Sequence, residues 1–134
     1  MSTCTRVLLV DGRAERRGVV RMIVETGEHA GEVVAEASTA EEAVAKVDRL
    51  HIDAAVVEIQ MPVTAGLEVI AALRADHPRL VIVVCSFHGD ATTRAQAAAA
   101  GANAYLTKPV SGRQLQAALR SAVPWAAPEL VAAG

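Results

Sequence analysis

Five short apolar runs, each followed by a stretch with helical periodicity, constrain the fold more than any other feature of the chain. The runs cover 7–10, 33–37, 54–59, 80–85 and 104–106. The first, third and fourth are nearly continuous and rich in β-branched residues, which suits strands of a parallel sheet covered on both faces. The second carries Glu32 and Glu36 and reads as an edge. Between the runs, Ala40, Ala43, Val44 and Val47 recur at helical spacing, as do Leu115, Ala118, Leu119 and Ala122, with a shorter version at Leu67, Ile70 and Leu73. Thr39 with Glu42, and Ser111 with Gln114, have capping-box spacing at helix starts. Residues 13–26 read as a helix with Val19, Met22 and Ile23 inward and Arg13, Arg16, Arg17 and Arg21 mostly outward. The stretch 90–100 is so rich in alanine that its helix has high propensity but little area to bury, so it is expected to dock least firmly. Short right-handed crossovers between such units give a doubly wound α/β sandwich, (βα)5.

The chain has 134 residues, enough for one domain over 1–122 followed by a loosely held tail over 123–134 that carries Pro124 and Pro128. Hydrophobic residues make up 52% but aromatics only 2%, so the core must be built from Val, Leu, Ile and Ala. With a net charge of −2 and the two signs interspersed, nothing resembles a nucleic-acid footprint or a membrane-binding basic run. The apolar run near the start is too short for a signal-peptide core, and the expected location is cytoplasmic. Cys4 and Cys85 form no CxxC pair, and Cys85 reads as a small buried hydrophobe. His29, His51, His77 and His88 are scattered and do not have zinc-ligand spacing. The stretch 11–18, Asp-Gly-Arg-Ala-Glu-Arg-Arg-Gly, is neither a P-loop nor GxGxxG, and no nucleophile elbow occurs. A small α/β enzyme or nucleotide-binding protein is therefore the weakest reading, and no helix-turn-helix follows the fifth unit.

Doubly wound sheets place their sites at the carboxyl ends of the strands. Asp11, Glu58, Ser86 and Lys108 all fall there. Singly, each has an ordinary explanation: a helix cap for Asp11, a turn hydroxyl for Ser86, a surface charge for Lys108. Together they bring two carboxylates, a hydroxyl and an ammonium to one edge of the sheet. Two carboxylates and a carbonyl suit a hard-oxygen magnesium site. A hydroxyl and an ammonium can hold phosphoryl oxygens.

Over about residues 5–122 the chain resembles response-regulator receiver domains. The resemblance rests on Arg-Val-Leu-Leu-Val-Asp (6–11), Ile-Gln-Met-Pro (59–62) with Gly66 and Leu67, Ser86, and Ala-Gly-Ala-Asn-Ala-Tyr-Leu-Thr-Lys-Pro-Val (100–110). It implies a flavodoxin-like sandwich whose parallel five-stranded sheet has the order 2-1-3-4-5. It also implies that Lys108 contacts a phosphoryl group, that Lys108–Pro109 is a cis peptide, and that Ser86 is a switch hydroxyl. Tyr105 would be the aromatic that moves inward with Ser86; otherwise it is an amphipathic residue at the sheet rim.

The chain departs from that pattern in two places. Gly12 stands where the family usually has a second acid after the first strand, and Glu58 stands at the phosphoacceptor position, where the family has Asp. Glutamate reaches about 1.5 Å further than aspartate, and misplacement of that order costs an in-line attack about 100-fold. Glu58 also places a fixed negative charge near the phosphoryl position, where Lys108 or Arg13 could pair with it. The expected protein is a phosphorylation-independent pseudo-receiver, with no catalysis beyond self-phosphorylation and its reversal. It would bind a signalling partner, a kinase or a downstream regulator, through the fourth helix, fifth strand and fifth helix; homodimerisation is also open. No cofactor is required on this reading, and any magnesium would fall to Asp11, Glu58 and Gln60. The alternative is a magnesium-dependent phosphoacceptor modified on Glu58 by a histidine kinase or a small phosphodonor.

Overall fold

In the computed structural model, residues 4–60 and 62–121 are described, and strands and helices alternate through them. The elements are β1 (Arg6–Val10), α1 (Ala14–Glu25), β2 (Glu32–Ala37), α2 (Ala40–Arg49), β3 (Ala54–Glu58), α3 (Val63–Asp76), β4 (Val81–Ser86), α4 (Ala91–Ala100), β5 (Ala104–Thr107) and α5 (Gly112–Ser121). The strands are parallel and lie in the order β2-β1-β3-β4-β5, so β2 is an edge as its flanking glutamates suggested. The tail expected over 123–134 lies outside the described residues, as does Ala122.

Successive strand residues point to opposite faces, and here both faces are apolar. Leu8, Val10, Ala55 and Val57 face Ala43, Val47, Ile70, Leu73 and Ala97 from α2, α3 and α4. Val7, Leu9, Val56 and Cys85 face Val24, Leu115 and Leu119 from α1 and α5. Leu8, Ile70, Leu73 and Ile82 have no exposed surface, and each such side chain contributes about 1.5–3 kcal/mol of burial.

The face of α1 differs from expectation. Val19 and Met22 are 58% and 66% exposed, and Val20 and Val24 take their place beside Ile23, which packs inward as expected. Both sets fit a helical period, since the apolar residues run almost unbroken from Val19 to Val24. Arginine contacts set the rotation. Arg17 and Arg21 each reach a different carboxylate oxygen of Glu36 on β2 at 2.6 Å, and Arg17 also donates to the Asp11 carbonyl at 2.7 Å. Arg16 and Arg17 are thus drawn in over the sheet edge, against the outward placement read from sequence.

Capping explains where the helices begin. Thr39 Oγ1 accepts from the Glu42 amide at 3.1 Å. The Glu42 carboxylate reaches back to the Ser38 amide at 2.8 Å, one residue before the partner a capping box would use. At α5 the box is complete: the Ser111 hydroxyl takes the Gln114 amide and the Gln114 side chain takes the Ser111 amide, at 3.1 and 3.0 Å. Helix α4 docks through Thr93 and Ala97 alone among its fully buried positions, consistent with its small side chains.

One buried charge had no signal in the pattern. Arg74 on α3 is only 7% exposed. Its guanidinium donates to the carbonyls of Gly101, His77, Pro78 and Leu80 and to Asn103 Oδ1. Gly101 ends α4 at φ +127, and a Cβ there would lie 2.6 Å from Arg74 Cγ, so both the backbone conformation and the close approach require glycine.

Candidate functional site

The parallel sheet brings the strand ends to one edge. Val10 lies opposite Val57, so Asp11 follows β1 directly beside Glu58, the last residue of β3. Glu58 lies opposite Cys85, and Ser86 opposite Thr107, so Ser86 and Lys108 complete the row. The Lys108–Pro109 peptide is cis.

Glu58 and Lys108 form an ion pair through Oε1 and Nζ, with side chains only 6% and 15% exposed. Burial pushes the Glu58 carboxyl above its ordinary value, outweighing the pull of Lys108. Desolvating two charges offsets much of their attraction, so a buried pair of this kind is poor evidence of added stability. The Lys108 ammonium also lies 5.4 Å from the centre of the Phe87 ring. Arg13, the other candidate partner of Glu58, is turned away and pairs with Glu15 at 3.7 Å.

Asp11 is 7% exposed, and most of its contacts fall on Oδ1. Arg16 approaches it side-on, with Nε 3.2 and 3.0 Å from Oδ1 and Oδ2 and Nη2 3.1 Å from Oδ1. The Arg13 amide donates to Oδ1 at 2.9 Å, and Gln60 Nε2 does so at 3.3 Å. These hydrogen bonds raise the Arg16 guanidinium further above its ordinary value. Sequence reasoning missed Arg16. The signal available was a cation five residues beyond a strand-end carboxylate, on the first turn of the helix that follows.

Ser86 is fully buried, and its hydroxyl bonds to main-chain groups. It donates to the Ile59 carbonyl at 2.6 Å and accepts from the His88 amide at 3.0 Å. The Tyr105 hydroxyl donates to the His88 carbonyl, and its ring packs against the core while Arg94 lies 4.9 Å from its centre. Tyr105 and Ser86 are therefore joined through one peptide segment at His88, a link no residue pattern reveals.

A magnesium ion needs oxygen ligands with lone pairs to give and dehydrates reluctantly. Here each carboxylate already faces a side-chain cation, and the Gln60 side chain offers a nitrogen to Asp11. Among the described residues no group of three His, Cys, Asp or Glu is placed to hold a metal. The set Asp11, Glu58 and Gln60, read from sequence as the place for any metal, thus has each of its two carboxylates paired with a cation. A cleft of about 350 Å³ borders it, lined in part by Gly12, Arg13, Arg16, Gln60 and Gly66. Among the described residues no helix is long and apolar enough to cross a membrane.

Comparison with known proteins follows the same geometry. The response regulator receiver domain family matches residues 7–120. The chemotaxis protein CheY of Listeria monocytogenes is 32% identical over 117 residues, spanning 87% of this chain and 97% of that protein. A protein-glutamate methylesterase/protein-glutamine glutaminase of Paramagnetospirillum magneticum is 37% identical over 114 residues, 82% of this chain but 29% of its own length. Among solved structures, the receiver domain of a modulated diguanylate cyclase from Desulfovibrio desulfuricans superposes with a TM-score of 0.76 at 27% identity, covering 89% of this chain and 93% of that one.

Proposed function

Since the chain belongs to the response regulator receiver family of two-component signalling, we propose that it is a phosphorylation-independent interaction module whose state is set by the Glu58–Lys108 ion pair. The observation that carries this reading is the pair itself: at the phosphoacceptor position an anion is already buried against the lysine that would contact a phosphoryl group. Glu58 supplies about −1, against about −1.5 to −2 for a phosphorylated side chain. Gly12 and the Arg16 contact to Asp11 support the same conclusion, because each removes something that phosphorylation with magnesium would use.

The output is protein binding through α4, β5 and α5, to a kinase or a downstream regulator, with self-association as the other use of that face. Tyr105 on β5, tied to the His88 carbonyl, is the residue through which the pocket would reach this face. The inward Tyr105 would accompany the paired state, and loss of the pair would release it.

Tyr105 is the sole tyrosine, so fluorotyrosine labelling gives a one-site 19F NMR probe of this coupling. The expected spectrum has one resonance that acetyl phosphate with magnesium leaves unmoved and that Glu58→Gln or Lys108→Ala displaces. A second resonance appearing with phosphodonor in wild type, or an unmoved signal in both variants, contradicts the reading.

A further inference from the structure

We propose that Arg16 is a built-in counter-cation: its guanidinium takes the place of a divalent ion on Asp11, so the pocket is neutralised from within and does not bind magnesium. The inference concerns Asp11 rather than Glu58, and it does not depend on which partner the domain binds.

Charge balance carries it. The pocket holds two carboxylates, Asp11 and Glu58, and two side-chain cations, Arg16 and Lys108, each cation in direct contact with one acid. With four charges summing to zero, an entering dication would meet no net attraction. It would also lie close to a guanidinium, which repels a dication at short range. Geometry adds to this. The side-on guanidinium and the Arg13 amide together direct three N–H groups at the Asp11 carboxylate, crowding Oδ1 and sharing Arg16 Nε with Oδ2. Guanidinium suits this duty because it is planar, always charged and matched to a carboxylate, whereas a lysine would act only as a point charge.

Gly12 fits the same account. A Cβ at this position would meet nothing within 4 Å, so space does not exclude a side chain there. A second carboxylate would add a negative charge that one guanidinium could not balance. Gly12 and Arg16 thus form a matched pair of features, one acid fewer and one fixed cation in place of a mobile divalent one.

The test compares wild type, Arg16→Met and Gly12→Asp/Arg16→Met by calorimetric titration with magnesium chloride at constant ionic strength. Circular dichroism confirms the fold of each. Wild type is expected to show no magnesium binding within the titrated range, Arg16→Met to bind at least about tenfold more tightly than the limit wild type sets, and the double variant more tightly still. Magnesium binding by wild type with the affinity of Arg16→Met overturns the inference, as does a folded double variant that binds none. If the variants fail to fold, wild type still decides. The Arg16 side-chain Nε–H signal, assigned against Arg16→Lys, should keep its shift through a magnesium titration, and displacement of that signal contradicts the proposal. None of these readouts uses a phosphodonor, so the inference can fail while phosphorylation independence stands, and the reverse.

Discussion

Removing Lys108 should expose what burial costs Glu58. With the Glu58 side chain 6% exposed, Lys108→Met leaves a carboxylate without its cation in a place water barely reaches. Severing a buried pair from one side costs about 3–5 kcal/mol. At a urea dependence of about 2 kcal/mol/M, the unfolding midpoint falls by about 2 M. Glu58→Gln should cost far less, about 1 kcal/mol or under, because it removes the group that burial disfavours, and Lys108, 15% exposed, retains some contact with water. The double variant should resemble Glu58→Gln, giving a coupling of about 3–5 kcal/mol across the cycle. The pH dependence has a definite sign. The folded-state carboxyl lies above its ordinary value of 4.5, so the folded protein holds the extra proton between the two values. That contribution to stability is complete below the ordinary value and is lost as pH rises through the folded one. Without Lys108 the window extends higher, so the deficit of Lys108→Met closes on acidification. Urea unfolding of the four proteins at neutral and mildly acidic pH measures all of this. A Lys108→Met protein within about 1 kcal/mol of wild type at neutral pH, or a deficit that persists in acid, refutes a desolvated pair.

Arg74→Met should lower stability by about 3 kcal/mol or more, because buried carbonyls at Gly101 and Leu80 lose their donors; thermal unfolding followed by circular dichroism measures the drop. Glu36 is held below its ordinary value by hydrogen bonds from Arg21 and Arg17, so its contribution is present above the ordinary carboxylate range and fades as pH falls through the folded value. Glu36→Gln should flatten that part of the stability–pH curve. The Cys85 thiol, buried and pushed up to about 12, should resist a thiol reagent in the native protein while exposed Cys4 reacts at once; mass spectrometry after brief labelling should find a single adduct, on Cys4.

The strands and the helix starts were legible because they depend on period and on local hydrogen bonding, both carried by neighbouring residues, whereas the strand order came from the family resemblance. The alternation of Leu8 and Leu9 between two apolar faces could produce little else than a sheet covered on both sides. The row of strand-end residues was legible for the same reason: in a parallel sheet every strand ends on the same edge. What stayed hidden depends on contacts distant in sequence. The rotation of α1 follows from Glu36 on a neighbouring strand drawing in Arg17 and Arg21. Arg74 is buried because carbonyls from two separate stretches, 77–80 and Gly101, converge on it, and a charged residue gives no periodic sign of that. Arg16 reads as one of several surface cations until Asp11 is placed beneath it. The Ser86–His88–Tyr105 link runs partly through main-chain groups, which carry no residue identity.

Intact-mass analysis after incubation with acetyl phosphate and magnesium tests the central claim most directly, with Glu58→Ala alongside and an ordinary receiver as a positive control for the donor. The expected result is an unmodified mass under conditions that label the control. A magnesium-dependent phosphoryl adduct that disappears in Glu58→Ala would contradict the account and make Glu58 a working phosphoacceptor.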